Sequence, residues 1–440
     1  MPGPRGLEHL RIMERAATYI NLAVVDLYER YGEVFTFGFG PIRFVWLVGA
    51  DANRFALQEH PESFTLSKAY SFLRPIGGAN ALIASDEPDH LRRRRLVQPA
   101  FHKRRLERIL SIIASYNEAL FDTWVTDERP ATVDLYQQTR PTVLAIICET
   151  LLGADTLRRY PGLVSGVSTM MNFANLPFLA QQFKLDLPGV PWRRFVRARR
   201  QTDAALYEDI RRRRRHAETG DDVLAMLLDA KDEAGEGLSD VEVRDQALSL
   251  VSAGFDTTSA ALAWAVYLLL EHPDVLERLR EEIDGVTGTV SLEMLGTLPL
   301  LDQVVKETLR LYPAAPAGLR YLERDLDYKG ILLPAGSQVA FSIYATHRSA
   351  AYYDAPLAFR PERWAEGRDA PEPFSYLPFG ALTRYCIGSS LATTIIKLSL
   401  IQLLRRFDVA PAWSAPVQET GNTVQPKGGL PVRVTPRSRP

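Results

Sequence analysis

The segment 379–388, with the sequence FGALTRYCIG, is the most informative part of this 440-residue chain. Its Cys386 is one of only two cysteines, and the loop runs directly into a helical pattern over about 389–406. A thiolate beside the first turn of a helix is stabilised by free backbone amides and by the positive end of the helix dipole, which favours metal binding. The other cysteine, Cys148, lies in the apolar helical stretch VLAIICETLL and is predicted to be a small buried hydrophobe.

The overall charge of the chain is close to neutral. Lysine and arginine total 52 against 53 for aspartate and glutamate, so there is no excess charge for holding a polyanion or an anionic membrane. A nucleic-acid-binding module would have to use two arginine clusters, 92–95 and 211–215. We predict that both are solvated faces, with one or two arginines of the first cluster turned inward. No nucleic acid partner is expected.

Cysteine usage and hydropathy indicate where the protein works. Two cysteines in so long a chain argue against a disulfide scaffold and fit a reducing compartment. The longest apolar run, 260–270, is shorter than the ~18 residues that indicate a membrane span, and the first residues lack the apolar stretch of a signal peptide. We therefore predict a cytoplasmic protein without a membrane anchor.

The hydrophobic patterns predict a fold that is mainly α with small β-sheets. A strand hairpin is expected over 34–47 (VFTFGFGPIRFVWL), within a β-rich portion at about 30–60, and a helical core is expected over about 90–312. Ser239 is a predicted helix cap. Short strands are expected after Pro313. No linker or internal repeat divides the chain, so residues 1–440 are predicted to form a single domain.

The cysteine loop resembles the ligand loop of cytochromes P450. The aromatic Phe379 lies seven residues before Cys386, Arg384 lies two before it and Gly388 two after it, whereas Leu382 stands where family members usually have glycine. The resemblance implies the cytochrome P450 fold and haem b as cofactor, with Cys386 as the sulfur ligand of the iron and Phe379 packed near the sulfur. The sulfur would push electron density toward dioxygen and favour cleavage of the O–O bond.

An acid and an alcohol interrupt the long apolar helix predicted over 243–271. Gly254 lowers helix propensity and Thr257 can bond the carbonyl one turn back, so a local opening of the helix is expected. The stretch is similar to the family's oxygen-binding segment. That similarity implies that Ala253 borders the haem, that Thr257 hydrogen-bonds the iron-bound oxygen, and that Asp256 relays the protons that break the O–O bond. The structural alternative is a back-bonded threonine beside an aspartate that pairs with a basic residue.

Two further sets of charged residues match the family. Glu307 and Arg310 share a helix face, and such an isolated surface pair is worth only a few tenths of a kcal/mol. Their KETLR stretch and the later FRPERW stretch resemble the family's motifs, which implies a buried structural triad of Glu307, Arg310 and Arg363. The resemblance also assigns cationic or hydrogen-bond-donating partners to the haem propionates: His90, Arg94, Arg320 and Arg384.

The segments that contact substrate in this family are largely apolar here, which favours a hydrophobic small molecule. They are 70–83, 168–183, 248–252 and 314–319. The candidate contacts within them are Leu73, Ile76, Leu82, Met170, Phe173, Ser252, Ala317 and Leu319. Met170 could equally be a gap-filling core residue.

The resemblance predicts a monooxygenase that hydroxylates or epoxidises a hydrophobic small molecule with dioxygen. Two electrons would come from a separate donor, such as a ferredoxin or flavodoxin with its reductase, steered by Arg93 or Arg95. One alternative is a P450-type oxidative coupling enzyme or isomerase. Another is a non-catalytic haem-binding sensor or carrier, against which Asp256 and Thr257 argue because storage needs no proton relay.

Overall fold

Helices form most of the molecule. The computed structural model describes residues 1–39, 42–101, 103–125, 130–176, 181, 184–216, 220–286 and 288–437. In chain order the α-helices are α1 (Gly6–Thr18), α2 (Ile20–Tyr31), α3 (Ala50–Arg54), α4 (Leu66–Ala69), α5 (Arg74–Gly77), α6 (Asp89–Val97), α7 (Lys103–Asp122), α8 (Leu135–Leu152), α9 (Ala154–Arg159), α10 (Gly162–Ala174), α11 (Pro191–His216), α12 (Val223–Asp229), α13 (Asp240–Glu271), α14 (Pro273–Asp284), α15 (Leu292–Gly296), α16 (Pro299–Leu311), α17 (Ile343–His347) and α18 (Ser389–Arg406).

The strands form small sheets beside this helical body. They are β1 (Val34–Phe39), β2 (Ile42–Leu47), β3 (Phe64–Thr65), β4 (Ala131–Asp134), β5 (Ala317–Leu322), β6 (Leu326–Tyr328), β7 (Ile331–Leu333), β8 (Gln338–Ser342), β9 (Phe407–Pro411), β10 (Glu419–Thr420), β11 (Gln425–Pro426) and β12 (Pro431–Pro436). The largest sheet has the order β1-β2-β8-β5-β3, and a second has the order β4-β12-β9. Strands β1 and β2 pair as the predicted antiparallel hairpin. Residues 50–59, within the portion expected to be β-rich, are helical.

Helix α13 runs through the main hydrophobic core. The side chain of Ser239 accepts a hydrogen bond from the amide of Glu242, whose carboxylate accepts one from the amide of Ser239, so the predicted cap is a complete capping box. Every residue of 260–270 is buried, as a run that is apolar all round requires. Among the described residues, α13 alone is long and apolar enough to cross a membrane. Within its most apolar stretch of 18 residues, 83% is buried inside the fold.

The expected local opening of this helix is wrong. Helix α13 continues without a break past Gly254, and the Oγ1 of Thr257 donates to the carbonyl of Ala253 over 2.8 Å. The hydroxyl adds this bond beside the backbone ladder and does not replace a rung of it, so the helix has no need to open.

The second arginine cluster is not uniformly solvated, which corrects the prediction for 211–215. Arg213 is 6% exposed and pairs with Asp209 and Asp222, each over 2.9 Å. Its helix face also carries the buried Leu206 and Ile210, so the helical period turns this arginine toward the core. Arg212 is partly buried beside Asp209, and the other members of the cluster are exposed.

The carboxylate of Glu307 connects α16 to the segment that precedes the cysteine loop. Glu307 and Arg310 are both fully buried, and Arg310 donates two hydrogen bonds of 2.9 Å to the carboxylate. Arg363 Nε donates over 2.8 Å, Trp364 Nε1 over 2.8 Å and the Arg360 amide over 3.0 Å. Burial raises the pKa of Glu307, but the hydrogen bonds and charges of these partners outweigh burial and hold it below its usual range.

Replacing this carboxylate is expected to destabilise the fold. Glu307→Gln leaves Arg310 buried without a counter-charge, so the free energy of unfolding should fall by about 3–5 kcal/mol. Urea denaturation of the haem-loaded protein measures the loss. The matched control is Glu362→Gln, which breaks an exposed pair with Arg278 and should cost less than about 1 kcal/mol. Equal losses in the two variants would contradict the structural role of Glu307.

Candidate active site

The cysteine loop is a tight turn at the entrance to α18. The amide of Cys386 donates to the carbonyl of Phe379 over 2.8 Å, which draws the two ends of the loop together. Gly380 has φ +69° and Leu382 has φ +55°, so two left-handed residues reverse the chain. Leu382 therefore adopts the backbone conformation that glycine adopts freely, at a cost of about 1–2 kcal/mol for an L residue.

The side chain of Cys386 is exposed, although protein atoms crowd around it. This crowding raises the pKa of the thiol, while the amide of Gly388 and the positive charge of Arg94 act in the opposite direction. The protein on its own therefore favours the thiol, and a bound metal cation would have to stabilise the thiolate. Cys148, by contrast, is fully buried, which confirms that it is a core residue.

Three arginines and a histidine meet beside this loop. His90 and Arg94 come from α6, Arg320 from β5 and Arg384 from the loop itself. Arg384 donates to the carbonyl of Ser85 over 2.9 Å. Burial, with the charges of Arg320 and Arg94 adding to it, lowers the pKa of Arg384 to about 10. Burial and the charge of Arg384 also lower the pKa of His90.

This cluster carries more positive charge than the chain neutralises. Glu87 contacts His90 over 2.8 Å and Arg384 over 3.1 Å. Arg320 is 6% exposed, donates to the carbonyl of Leu319 and has no carboxylate within 4 Å in the described part of the chain. Burial lowers its pKa. A buried guanidinium without a counter-ion is costly, so the cluster fits a ligand that brings two carboxylates, as haem does.

The acid of α13 is held by a side chain of α8 and by the side chain of the residue that follows α10. Asp256 is 2% exposed and accepts hydrogen bonds from Arg140 Nε over 2.6 Å and from Asn175 Nδ2 over 2.8 Å. Together with the back-bonded Thr257, this is the arrangement that the structural alternative describes. Ala253 is nevertheless exposed in the middle of a buried helix, so one side of this segment faces open space.

Three residues of the site were not predicted from the sequence. Arg140 and Asn175 contact Asp256 from positions 116 and 81 residues away, and neither lies in a motif. His347 donates from Nδ1 to the carbonyl of Arg310 over 3.1 Å and accepts from the amide of Leu377 at Nε2 over 2.8 Å. Burial lowers the pKa of His347 to about 3, so it is neutral and holds the segment leading to Cys386.

The substrate candidates divide between packed and partly open positions. Met170 is fully buried in the main core, in the packing that the core alternative describes. Ile76, Phe173 and Ser252 are also buried, and the Oγ of Ser252 has no hydrogen-bond partner. The half-buried candidates are Leu73, Leu82, Ala317 and Leu319. Within 168–183, residues 177–180 and 182–183 lie outside the described residues.

One of the two arginines predicted to steer a redox partner is buried. Arg93 is 8% exposed and bonds Ser85 and Glu242 over 2.9 and 3.0 Å, so it stabilises the interior and cannot attract a partner. Arg95 is exposed, and its nearest carboxylate, on Glu233, lies 3.7 Å away. Arg93 and Arg95 differ in exposure because the helical period turns successive arginines of α6 in different directions.

Comparisons with known proteins identify the family of this chain. A family model described as Cytochrome P450 matches residues 2–430. The "Putative cytochrome P450 139" of Mycobacterium tuberculosis is 34% identical over 391 residues, which cover 87% of this chain and 90% of that protein. Its "Putative cytochrome P450 137" is 30% identical over 99% of this chain and 90% of that protein.

Solved structures of cytochromes P450 also match this chain. The cytochrome P450DA heme domain superposes with a TM-score of 0.87 at 25% identity, over 100% of this chain and 97% of that one. The retinoic acid bound cyanobacterial CYP120A1 superposes with a TM-score of 0.83 at 28% identity, over 94% and 93% of the two chains.

The fold and the matching family model define the class of this protein as a haem-thiolate oxidoreductase. The chain belongs to the cytochrome P450 family. It is accordingly a haem-thiolate monooxygenase with haem b as its cofactor, and it uses dioxygen and a separate redox partner. The predicted fold class, mainly α with small β-sheets in the cytochrome P450 fold, is confirmed.

The strained residue of the cysteine loop yields a test. Leu382→Gly should raise the free energy of unfolding by up to about 1 kcal/mol, because glycine adopts this backbone without the Cβ contact but has more freedom in the unfolded chain. Leu382→Val should lower it, since a β-branched side chain tolerates positive φ worst. The urea midpoints of the two haem-loaded variants, compared with that of the wild-type protein, measure both changes. A lower midpoint for the glycine variant would mean that packing of the Leu382 side chain outweighs the strain.

Proposed function

We propose that this protein hydroxylates or epoxidises a hydrophobic small molecule, with Cys386 as the iron ligand of its haem. The observation that carries the proposal is the group of Arg94, Arg320 and Arg384, which the contacting carboxylate of Glu87 does not fully neutralise, with His90 among them and an exposed cysteine beside them. No interaction within the described protein accounts for so much positive charge at that place. Two propionates would neutralise it and would bring the ring beside the sulfur.

Each residue of this group would have a separate role. Arg320 and Arg94 would bind the propionates. His90 and Arg384 would also bind them while keeping their contacts with Glu87. Phe379 packs on the main core and would lie beside the ring and the sulfur. Glu307, Arg310 and Arg363 would brace the segment that carries the ligand. When bound, haem supplies the iron at which dioxygen is reduced and split.

Asp256 and Thr257 would move protons. Thr257 donates its hydrogen to the carbonyl of Ala253, so its oxygen is left as an acceptor on the exposed side of α13. Arg140 keeps one oxygen of Asp256 in place and also contacts Asn172 at an exposed position, over 3.0 Å. A proton from solvent would reach Asp256 along this side and pass toward Thr257.

The substrate class and the partners follow from the surroundings. Leu73, Leu82, Ala317 and Leu319 are half-buried and apolar, which supports a hydrophobic substrate. Retinoic acid, which is bound to the cyanobacterial relative, is a largely apolar molecule and supports the same class. A ferredoxin or flavodoxin with its reductase would supply the electrons, with Arg95 steering the encounter. The near-neutral chain and its two unpaired cysteines support a cytoplasmic location.

The sulfur ligand is tested by spectroscopy. The haem-loaded protein, reduced and exposed to carbon monoxide, should give the red-shifted absorption of a thiolate ligand. Cys386→Ser should abolish that band, because a serine hydroxyl cannot supply the sulfur charge. Cys148→Ser is the control and should leave the band unchanged, since Cys148 is buried in the core. An unchanged band in the Cys386 variant would refute the assignment.

The proton relay is tested by turnover. Asp256→Asn should lower the rate of product formation by about 10²-fold while the carbon monoxide band stays intact, because the amide cannot deliver a proton. Arg140→Met should also lower the rate and Arg140→Lys should restore part of it, since Arg140 positions the carboxylate. The measurement is the rate of product formation per haem, with a surrogate redox partner. A wild-type rate in the Asp256→Asn variant would exclude Asp256 from proton delivery.

A further inference from the structure

A short segment, residues 71–77, crosses between two of the elements that we propose to contact substrate. Before its first residue, the hydroxyl of Tyr70 accepts a hydrogen bond from the amide of Leu319 in β5 over 2.9 Å. Its last residue, a glycine, lies against α13, where a Cβ would come within 3.0 Å of the Cβ of Ser249. One turn further along α13, Ala253 is exposed. The segment, which we call the lid, therefore ends beside the open space at Ala253.

The lid has one side toward the interior and one side toward solvent. Leu73 and Ile76, two of the proposed substrate contacts, belong to it; Ile76 is buried and Leu73 is half-buried. Phe72, between Leu73 and the start of the segment, is 57% exposed. Because the same few residues face both the interior and the solvent, displacing them would open a route between the two.

The chain that follows the lid is fixed to α13 by a buried carboxylate. Asp245 accepts hydrogen bonds from the backbone amide of Asn80 over 3.0 Å and from its side-chain amide over 2.9 Å. Its other oxygen accepts from Arg244 over 2.6 Å, and the two side chains of this ion pair are 4% and 2% exposed. Gly78 has φ +88°, and a Cβ there would collide with the carboxylate. Separating a buried, hydrogen-bonded ion pair is costly, so this attachment is a permanent anchor.

The middle of the lid is held by a contact that is easier to break. Arg199 of α11 donates a hydrogen bond to the carbonyl of Pro75 and pairs with Asp203 over 2.7 Å. The side chains of Arg199 and Asp203 are 22% and 25% exposed. Water can therefore replace their hydrogen bonds when they separate, and contacts of this kind contribute little to stability. We call the bond between Arg199 and Pro75 the latch.

We propose that the lid controls the entry of substrate and that the latch holds it closed. The lid opens about Gly77 and Gly78, whose missing side chains permit large backbone rotations, while the anchor at Asp245 stays in place. The inference rests on the proposed function, because the lid regulates access to the same haem site. Arg199 is accordingly a positioning residue, which governs how fast a ligand enters and leaves without contacting the haem.

The latch is tested by stopped-flow binding of 4-phenylimidazole to the haem-loaded protein, because an imidazole nitrogen ligates the iron and shifts the Soret absorption. Arg199→Met removes the hydrogen bond and keeps an apolar stem. The association and dissociation rates should both rise by about tenfold, since the latch closes over the free and the occupied site alike. The dissociation constant should therefore stay nearly the same. Arg199→Lys should restore most of the wild-type rates, because an ammonium can also donate to a carbonyl.

A second arginine and a smaller ligand are the controls. Arg200 is the next residue of α11 and is exposed, so Arg200→Met should change the rates by less than about twofold. Imidazole lacks the phenyl ring, and its rates should be unaffected by Arg199→Met. Unchanged rates for 4-phenylimidazole in Arg199→Met would overturn the latch. Equal acceleration of imidazole would show that the whole site has loosened, and faster dissociation alone would show a lost wall. Either result would also overturn the proposal.

The anchor is tested by Gly78→Ala. The added Cβ pushes the lid away from Asp245, so 4-phenylimidazole should bind about tenfold more weakly, mainly through faster dissociation. An unchanged affinity would contradict the anchor. The thiolate band with carbon monoxide separates this inference from the proposed function. A wild-type protein without the band would overturn both, whereas an intact band with unchanged rates in Arg199→Met, or without binding of 4-phenylimidazole, would overturn the lid alone.

Discussion

The carboxylate of Glu307 is the fixed point on which the active-site side of this protein depends. It accepts five hydrogen bonds while fully buried, and one of its donors, Arg310, also binds the carbonyl of His347 over 2.7 Å. His347 in turn accepts a hydrogen bond from the amide of Leu377. Leu377 lies two residues before Phe379, and the carbonyl of Phe379 accepts a hydrogen bond from the amide of Cys386. The position of the sulfur is therefore set by a continuous series of buried polar contacts that starts from one charge.

Buried charges serve two different purposes in this molecule, and their partners distinguish them. Around Glu307 and around Arg213, cations and carboxylates satisfy one another within the chain, so these groups stabilise the fold. Beside Cys386 the cations outnumber the carboxylates that contact them, and within the described part of the chain the buried Arg320 donates only to a carbonyl. Such an imbalance destabilises the protein unless a ligand removes it. Unneutralised charge is thus a more specific indicator of a binding site than charge alone.

The acid and alcohol of α13 show that a structural role and a functional role can coincide. Thr257 is back-bonded and Asp256 is paired with Arg140, as a purely structural reading requires. The same contacts orient the two side chains and leave the oxygen of Thr257 free to accept a hydrogen bond. A proton carrier has to be held in place to be useful, so the ion pair does not argue against the proposed relay.

The sequence by itself determined the family, the helical class, the ends of α18 and the residue types at the site, because these depend on local periodicity and on motifs of contiguous residues. It also indicated an unusual residue at Leu382. Only the tertiary structure decided that Arg140 holds Asp256, that His347 supports the cysteine loop and that Arg93 and Arg213 are buried. These facts depend on which faces of distant helices meet. Such contacts span up to 149 residues of chain and leave no local pattern. The left-handed conformation of Leu382 likewise follows from the closure of the loop around Cys386, since the intrinsic preference of leucine opposes it.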